Sequence, residues 1–300
     1  MPHPGWPASM PRARRAAWAA ALLASLLTVS AARADVLYYP RPETLDDERG
    51  DYPFQLLQMA LIKAGSPHQL VMTPHHMQQN RSIVEIMAAT GTLHIVATMT
   101  SREREEKLLP VRIPISKGLI GWRMLLVRAD QVELFRGAKT LADLKPYKLA
   151  QGHDWPDLAI LRGNGLAPTP VSTYDSLFGM LKAGRVDYVP RAVNEIWPEA
   201  ARHKELAVEP HVVLHYPTAD YYFLNRADGH LAEQIRRGLE LAIADGTMDQ
   251  LFYQHYGKAL RRSRLDKRRV LELKNPGLPA ATPLDRKELW FRLEDLRHIK

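Results

Sequence analysis

The residues from Gly152 to Trp155 are the clearest candidate for binding chemistry in this sequence. A strand-like run, Lys148–Gln151, ends at Gly152, and a helical pattern begins shortly after it. Backbone N–H groups at the start of a helix have no partner within the helix, so a strand-to-helix turn can bind an anion. Asp154 has an alternative role as the residue that caps this helix. The turn therefore predicts an anion-binding feature made mainly of backbone groups.

A second polar stretch, TMTSRER, occupies residues 98–104 and follows another strand-like run. Its hydroxyl and guanidinium groups are of the kinds that orient small polar molecules in a binding pocket. The charged run RERE can equally lie on the surface in water, and threonine is an ordinary residue in a strand. Residue types alone leave both interpretations open.

Neither a metal centre nor a catalytic group is predicted. His75 and His76 are adjacent and lack a third ligand at suitable spacing. A general acid or base would have to be Glu195, His153 or Asp154, and these residues form no recognisable constellation. We therefore expect a protein that binds without a cofactor, a metal or catalytic residues.

The elements that must position these residues are organised around one crossing. Two strand-like runs, Leu93–Thr98 and Met124–Val127, are joined by a charged span that contains Pro110 and Pro114. Such a span is typical of a chain that leaves one sheet and enters another, and small molecules usually bind between two such units. Strand-like and helical segments alternate before the crossing and again after it. This order favours parallel sheets covered by helices, so the predicted fold class is α/β with two lobes.

The first 34 residues have the pattern of a cleaved signal peptide. Arg12, Arg14 and Arg15 form a basic start, Ala16–Val29 is an apolar core, and Ala32-Arg33-Ala34 places small residues at a cleavage site. The chain contains no cysteine, so it can carry neither a lipid-modified cysteine nor a disulfide. We expect a soluble protein that is exported to the periplasm.

Positive charge is concentrated at the two ends of the chain. The formal charge is +8, from 41 basic and 33 acidic residues. Residues 1–34 hold four arginines and no acid, and residues 258–300 hold 13 basic and 6 acidic residues, so the region between them is slightly acidic. A nucleic-acid-binding protein would carry its basic residues on the folded body, so a nucleic-acid partner is not predicted. The segment 258–300 is expected to be a basic tail docked on the body.

Four stretches resemble, in order and spacing, the motifs of one protein family: GTLHIVATMTSREREEKLLPVRIPI, TLADLKPYKLAQG, STYDSLFGMLKAGRVDYV and LAEQIRRGLELAIADGTMDQLFYQHYG. Through them, residues 36–257 resemble the periplasmic solute-binding proteins of family 3, the polar-amino-acid-type binding proteins of ABC importers. The resemblance implies a type II periplasmic-binding-protein fold, with two α/β lobes and hinge crossings near Ile120–Leu125 and Val212–Ala219. The implied division is a signal peptide (1–34), lobe 1 (35–121 plus 218–257), lobe 2 with the hinges (122–217) and the basic tail (258–300).

The resemblance also implies ligand contacts in the first lobe. In the family, an arginine after the first-lobe strand binds a ligand carboxylate through two parallel hydrogen bonds, a geometry that lysine cannot offer. Arg104 matches this position best, and Arg102 is the alternative. Thr98 and Thr100 would add hydroxyl groups to the cleft.

Further implied contacts come from an aromatic wall and from the second lobe. One of the alternating pair Tyr38 and Tyr39 should face the cleft, and Tyr39 is favoured. The second-lobe contacts would be Gly152, His153, Asp154 and Trp155. His153 stands where the family usually has threonine, so the resemblance implies a backbone contact there rather than a side-chain contact.

The chain departs from the family after Asp187. Amino-acid-binding members carry an acid a few positions later that pairs with the ligand ammonium, whereas this chain has Arg191 and its nearest acid is Glu195. Either Glu195 takes over that role, or the ligand is an anion with more than one acidic group. Arg191 could equally be a surface residue in an ion pair with Glu195. The departure argues against an ordinary α-amino acid as the ligand.

The expected function is therefore the capture of a small polar anion between two lobes, for an ABC permease or a membrane sensor, by a monomeric protein. One alternative is an exported regulatory or envelope-interaction protein that keeps the fold without transport. Another is a dehydratase-like enzyme on the same fold.

Overall fold

The computed structural model describes residues 35–42 and 47–299. The signal-peptide prediction falls on residues 1–34 and lies outside the described residues. Within the described part of the chain, no helix is both long and apolar enough to cross a membrane. From Val36 onward the chain forms one compact unit, and the following paragraphs concern this unit.

Two small sheets carry the first part of the unit. Strand β1 (Val36–Arg41) pairs in parallel with β2 (Gln69–His76). Strand β10 (Asp220–Leu224) lies between β3 (Ile95–Met99) and β4 (Leu109–Val111) and is antiparallel to both. We call the region built on these five strands lobe 1.

Five helices belong to lobe 1: α1 (Asp51–Lys63), α2 (Gln79–Ala88), α3 (Arg102–Lys107), α7 (Gly229–Ala244) and α8 (Thr247–Ser263). Helices α1 and α7 pack so closely that a Cβ atom on Gly238 would lie 1.9 Å from the carbonyl oxygen of Ala60. Burial of Leu56, Leu57 and Ile235 along their facing stripes holds the helices over the sheets, because apolar side chains recur at helical spacing.

A six-stranded sheet carries the rest of the unit, which we call lobe 2. Its strand order is β11 (Arg269–Glu272), β9 (Leu206–His215), β5 (Trp122–Arg128), β8 (Tyr188–Ala192), β6 (Leu149–Gly152) and β7 (Pro168–Val171). Helices α4 (Asp157–Gly163), α5 (Tyr174–Lys182) and α6 (Ile196–Arg202) complete this lobe. The chain passes between the lobes at residues 112–121 and 216–219.

Two expectations from the sequence are corrected here. The sheets are not all parallel: β10 is antiparallel to both β3 and β4, and the six-stranded sheet is mixed because β5 is antiparallel to both β8 and β9. In addition, the body does not end at Gly257. Helix α8 continues to Ser263, and β11 then joins the edge of the lobe 2 sheet in parallel with β9.

The chain after β11 returns to lobe 1. Leu289 and Phe291 are buried, and the N–H of Phe291 donates to the carbonyl oxygen of Lys117 at 2.8 Å. Trp290 lies over Gly118, whose positive φ of 74° and lack of a side chain leave room for the indole. The basic segment is thus a docked part of the fold, and its apolar residues hold it in place.

Candidate functional site

A cavity of about 160 Å³ lies between the two lobes, at the ends of strands from both lobes. Tyr39, Thr98 and Asp220 line it from lobe 1, and Trp155 and Arg191 line it from lobe 2. Its volume is close to the roughly 150 Å³ of an engineered cavity that accommodates benzene, so it suits a small solute. The engineered cavity is apolar, whereas this cavity is lined by both charged side chains and aromatic rings.

Trp155 forms one wall of the cavity because Gly152 has no side chain. A Cβ atom at Gly152 would lie 2.5 Å from the Trp155 ring, so any larger residue would displace the indole. The guanidinium of Arg191 also lies over the Trp155 ring, at 4.7 Å from its centroid. Gly152 and Trp155 thus act together, the first by making room for the second.

In the turn from Gly152 to Trp155, two of the backbone N–H groups predicted to bind an anion have partners within the protein. The N–H of His153 donates to the carbonyl oxygen of Val171 at 2.9 Å, and the N–H of Trp155 donates to that of Gly152 at 3.3 Å. Helix α4 begins two residues later, at Asp157, with Pro156 before it. The N–H groups of His153 and Trp155 are therefore already used within the protein.

Asp154 bridges the lobes instead of capping α4. Its Oδ2 accepts a hydrogen bond of 3.1 Å from the N–H of Asn80 at the start of α2. Asp154 and His153 both line a groove outside the cavity, between α3, α4 and residues 275–277. The His153 side chain is about half exposed, so it contributes to the groove and not to the cavity.

Arg104 and Arg102 were the two candidates for the carboxylate contact, and Arg104 is the one that is buried. Its Nη1 donates to Thr98 Oγ1 (2.6 Å) and to the carbonyl oxygen of Met99 (2.8 Å). Its Nη2 donates to Gln79 Oε1 (2.5 Å) in lobe 1 and to the carbonyl oxygen of Asp154 (3.0 Å) in lobe 2. Arg104 therefore ties the lobes together, and it lines the outer groove.

No acidic side chain among residues 35–42 and 47–299 forms an ion pair with Arg104, and burial lowers the pKa of its guanidinium to about 10. Arg102, by contrast, is exposed, and its N–H donates to the carbonyl oxygen of Gly277. Thr100 also lines the outer groove, where its hydroxyl donates to Glu105 Oε1 at 2.7 Å. Thr98 alone of the two predicted threonines lines the cavity.

Arg191 is buried and paired, which differs from the surface position considered from the sequence. Its Nε and Nη2 donate to the two carboxylate oxygens of Glu199, at 2.7 and 2.6 Å. Glu195 Oε2 lies 3.0 Å from Nη2 of the same arginine and 3.5 Å from Nη1 of Arg123. Burial alone would raise the pKa of Glu195, but the arginines around it hold that pKa below its ordinary value. Glu195 is thus already neutralised by the protein.

Sequence reasoning missed a second buried network on this side of the cavity. Nη2 of Arg123 lies 2.5 Å from Asp157 Oδ1, and its Nε donates to the hydroxyl of Tyr216 at 2.8 Å. The Tyr216 hydroxyl in turn donates to Asp157. No local sequence pattern marked the partners of Arg123, because they come from separate segments of the chain.

A lobe 1 arginine also reaches the aromatic wall. Arg49 forms a two-point ion pair with Asp47, through bonds of 2.7 Å to each carboxylate oxygen. Its guanidinium lies 4.2 Å from the ring centroid of Tyr174 in lobe 2, within the range of a cation–π contact. The lobes are thus in contact on both sides of the cavity.

Tyr39 lines the cavity, as the alternation of β1 suggested. Its ring packs edge-on against Phe54 at 5.7 Å, while its neighbour Tyr38 stacks on His94 away from the cavity. Burial, together with the charge of Asp220, raises the pKa of the Tyr39 hydroxyl, so this group stays neutral.

Asp220 is the acidic residue that sequence reasoning overlooked. It begins β10 directly after a crossing, is 7% exposed and lines the cavity. Its Oδ1 accepts hydrogen bonds from the N–H (3.2 Å) and the hydroxyl (2.6 Å) of Ser116. Burial raises the pKa of its carboxyl to about 6 in spite of these bonds.

Of the predicted site residues, the structure brings five together at the cavity: Tyr39, Thr98, Trp155, Arg191 and Glu195. Thr100, Arg104, His153 and Asp154 lie in the outer groove, and Gly152 supports Trp155 from behind. Within the described residues, no group of three or more histidine, aspartate or glutamate side chains is arranged to hold a metal ion.

No protein-family model and no curated protein matches the chain in sequence. Solved structures do match it. An ancestral arginine-binding protein bound to glutamine has a TM-score of 0.58 at 16% identity, over 75% of this chain and 99% of its own. A mutant of ArgBP from T. maritima has a TM-score of 0.55 at 17% identity, over 74% and 95%.

A histidine kinase sensor domain with similarity to periplasmic binding proteins also matches, with a TM-score of 0.54 at 18% identity over 75% of this chain and 96% of its own. Several of the structural neighbours are described as amino-acid-binding proteins, and some of these as periplasmic. They confirm the predicted α/β fold class, the two-lobed type II periplasmic-binding-protein fold with two hinge crossings. At these identities the likeness is one of fold.

Proposed function

We propose that this chain is a periplasmic solute-binding protein, which closes its two lobes around a small polar solute and presents it to an ABC importer or a membrane sensor. The observation that carries this proposal is the cavity between the lobes, because both lobes contribute charged and aromatic walls to it. Pockets with a few convergent polar groups at a domain interface are the usual sites of small-molecule binding. Residues 1–34, with the pattern of a signal peptide, support export.

The contacts across the cleft support a mechanism of closure. Arg104 and Asn80 of lobe 1 bond to Asp154 of lobe 2, and Arg49 packs on Tyr174. A solute that touches both lobes gains contacts in the closed state that the open state lacks, and this difference in affinity shifts the protein towards closure.

The solute is not required to be an anion. That expectation rested on Arg191, and the structure pairs Arg191 with Glu195 and Glu199. Arg123 is likewise paired with Asp157. Amino acids are therefore included among the candidate solutes, in keeping with neighbours described as bound to arginine, lysine or glutamine.

The enzyme alternative receives less support. Among its three candidate residues, Glu195 is held by two arginines, and His153 and Asp154 lie in the outer groove. They do not converge on one point where a reacting atom could sit, as acid–base catalysis needs. A sensor role is favoured by one specific comparison, the histidine kinase sensor domain that shares this fold.

Isothermal titration calorimetry tests the proposal. The exported protein is unfolded, freed of bound solute, refolded and titrated with L-arginine, L-lysine, L-glutamine, L-glutamate and succinate. We expect saturable binding of at least one of them with one site per chain. Absence of binding across the whole panel would overturn the proposed solute class.

A pair of tryptophan variants tests the location of the site. Trp155→Ala removes a cavity wall, and Trp197→Ala removes a partly buried indole of lobe 2 that hydrogen-bonds Ser263, away from the cavity. We expect Trp155→Ala to weaken binding tenfold or more, and Trp197→Ala to change it less than threefold. Equal effects of the two substitutions would place the binding site elsewhere.

A further inference from the structure

We infer that Asp220 binds a positively charged group of the solute, an ammonium or a guanidinium. This inference rests on the proposed function and specifies the chemistry of the same cavity. No sequence motif pointed to Asp220, because the family resemblance implies an ammonium acceptor near Arg191, in the other lobe.

The first argument is the charge pairing within the cavity. Four of the described acidic residues line it, and three of them have an arginine partner: Asp47 with Arg49, Asp157 with Arg123, and Glu195 with Arg191. Asp220 differs from these three. Within the described part of the chain, no lysine or arginine forms an ion pair with it.

The second argument is the position of the carboxylate. Asp220 is more than nine-tenths buried, and Ser116 donates two hydrogen bonds to its Oδ1. These bonds and one from its own backbone N–H fix the carboxylate but bring no positive charge to it. A buried carboxylate is costly unless it is paired, so a site of this kind is completed by a cation from outside the chain.

The third argument concerns what surrounds Asp220. Tyr39 and Tyr256 line the same cavity, and their rings offer the negative faces that attract ammonium and guanidinium groups. The hydroxyls of the neighbouring Tyr52 and Tyr222 donate to the carbonyl oxygens of Ile115 and Pro53, respectively. These hydroxyls therefore do not donate to the carboxylate of Asp220.

The test uses pairs of probes that differ in one charge. L-arginine is compared with L-citrulline, and L-lysine with L-norleucine, by calorimetry at pH 7.5. We expect the wild-type protein to bind the charged member of at least one pair tenfold or more tightly. This comparison needs no variant, so it tests whether the site prefers a charged side chain even if a substitution impairs folding.

Asp220→Asn assigns the preference to this side chain. The amide keeps an oxygen that can accept from Ser116 but loses the charge, and we expect it to weaken binding of the charged probe tenfold or more. Asp130→Asn is the matched control, because it removes one acid from an exposed position whose carboxylate pairs with Arg128. We expect it to bind all four probes as the wild type does.

Each other outcome also decides the question. Equal weakening of all four probes by Asp220→Asn would place their shared α-ammonium at Asp220 and support the inference. If Asp220→Asn binds the charged probes as tightly as the wild type does, the inference is overturned. Binding of succinate or L-glutamate with none of the four probes would overturn it as well, while leaving the proposed function intact. Absence of binding by every probe and every solute of the panel would overturn both.

Discussion

At the scale of single residues, the site is built on buried charges that are satisfied in different ways. Arg191 and Arg123 pair with acidic side chains, whereas Arg104 donates to neutral oxygens and Asp220 accepts from Ser116. Those differences come from residues far apart in the sequence. A single sequence therefore indicates which residues are polar but not which of them remain unpaired.

Asp220 should reduce the stability of the unliganded protein at neutral pH. The pKa of its carboxyl rises from an ordinary 3.8 to about 6 on folding, so the folded state favours the protonated form. Stability is therefore lost as the pH rises from about 4 through 6, by roughly 3 kcal/mol for a shift of this size. We expect Asp220→Asn to be more stable than wild type by up to that amount at pH 7.5.

The comparison across pH separates this effect from a change in packing. Urea unfolding of wild type and Asp220→Asn at pH 4 and pH 7.5 measures the difference in unfolding free energy at each pH. We expect the difference to shrink towards zero at pH 4, where both side chains are neutral. A difference of the same size at both pH values would show that the charge of Asp220 is not its cause.

Glu199 should be essential to the fold of lobe 2. It accepts two hydrogen bonds from Arg191 and one of 2.8 Å from the Tyr174 hydroxyl, and it is 1% exposed. Glu199→Ala would leave Arg191 buried with only Glu195 as an acidic partner, so we expect a loss of about 3–5 kcal/mol in unfolding free energy. Chemical denaturation measures it.

Glu205→Ala serves as the control for that loss, because Glu205 is exposed and is expected to change stability by no more than about 0.5 kcal/mol. A similarly small change in the unfolding free energy of Glu199→Ala would contradict the structural role assigned to the ion pair of Glu199 and Arg191.

At the scale of elements, hydrophobic periodicity found the long helices but not the sheet edges. Leu56, Leu57, Ala60 and Leu61 recur at helical spacing, and α1 runs from Asp51 to Lys63. Strand β11 was missed because its four residues, RVLE, lie in a basic segment and show no clear alternation. Its identity as a strand depends on pairing with β9, a contact between residues about 57 positions apart.

Two helical glycines should respond to alanine in opposite directions. Gly238→Ala on α7 would place a Cβ 1.9 Å from the Ala60 carbonyl oxygen of α1, so the helices must separate, which we expect to cost about 1–3 kcal/mol. Gly179 on α5 has no atom within 4 Å of an added Cβ, so Gly179→Ala should stabilise by about 1 kcal/mol through helix propensity.

Thermal unfolding of the two glycine variants beside wild type checks the sign of each change. A gain in stability from Gly238→Ala would show that α1 and α7 are not packed as closely as described.

At the scale of the whole molecule, the chain crosses between the lobes more often than the family resemblance implies. Besides the two expected crossings, the segment after β11 leaves the lobe 2 sheet and docks on lobe 1 through Phe291 and Trp290. On its way, residues Pro276 and Gly277 accept hydrogen bonds from Arg102 of α3. A docked C-terminal segment of this kind limits how far the lobes can separate.

Arg104 is the residue whose role at this scale differs most from its role in the sequence-based interpretation. The resemblance makes it a ligand for a solute carboxylate, whereas the structure uses it to join Thr98 and Gln79 of lobe 1 to Asp154 of lobe 2. Both roles predict that Arg104→Ala weakens solute binding. They differ in what happens before any solute is added.

If Arg104 joins the lobes, Arg104→Ala opens the unliganded protein, because a hydrogen bond from a charged group across the cleft is lost, worth about 1.5–3 kcal/mol. We expect small-angle X-ray scattering to give a larger radius of gyration for unliganded Arg104→Ala than for wild type. Solute affinity should fall in parallel, since only the closed fraction binds tightly. The control is Arg81→Ala, which removes an exposed arginine paired within α2 to Glu85 and should leave both measurements unchanged. If Arg104→Ala binds solute more weakly but has the same unliganded radius of gyration as wild type, Arg104 instead contacts the solute carboxylate directly.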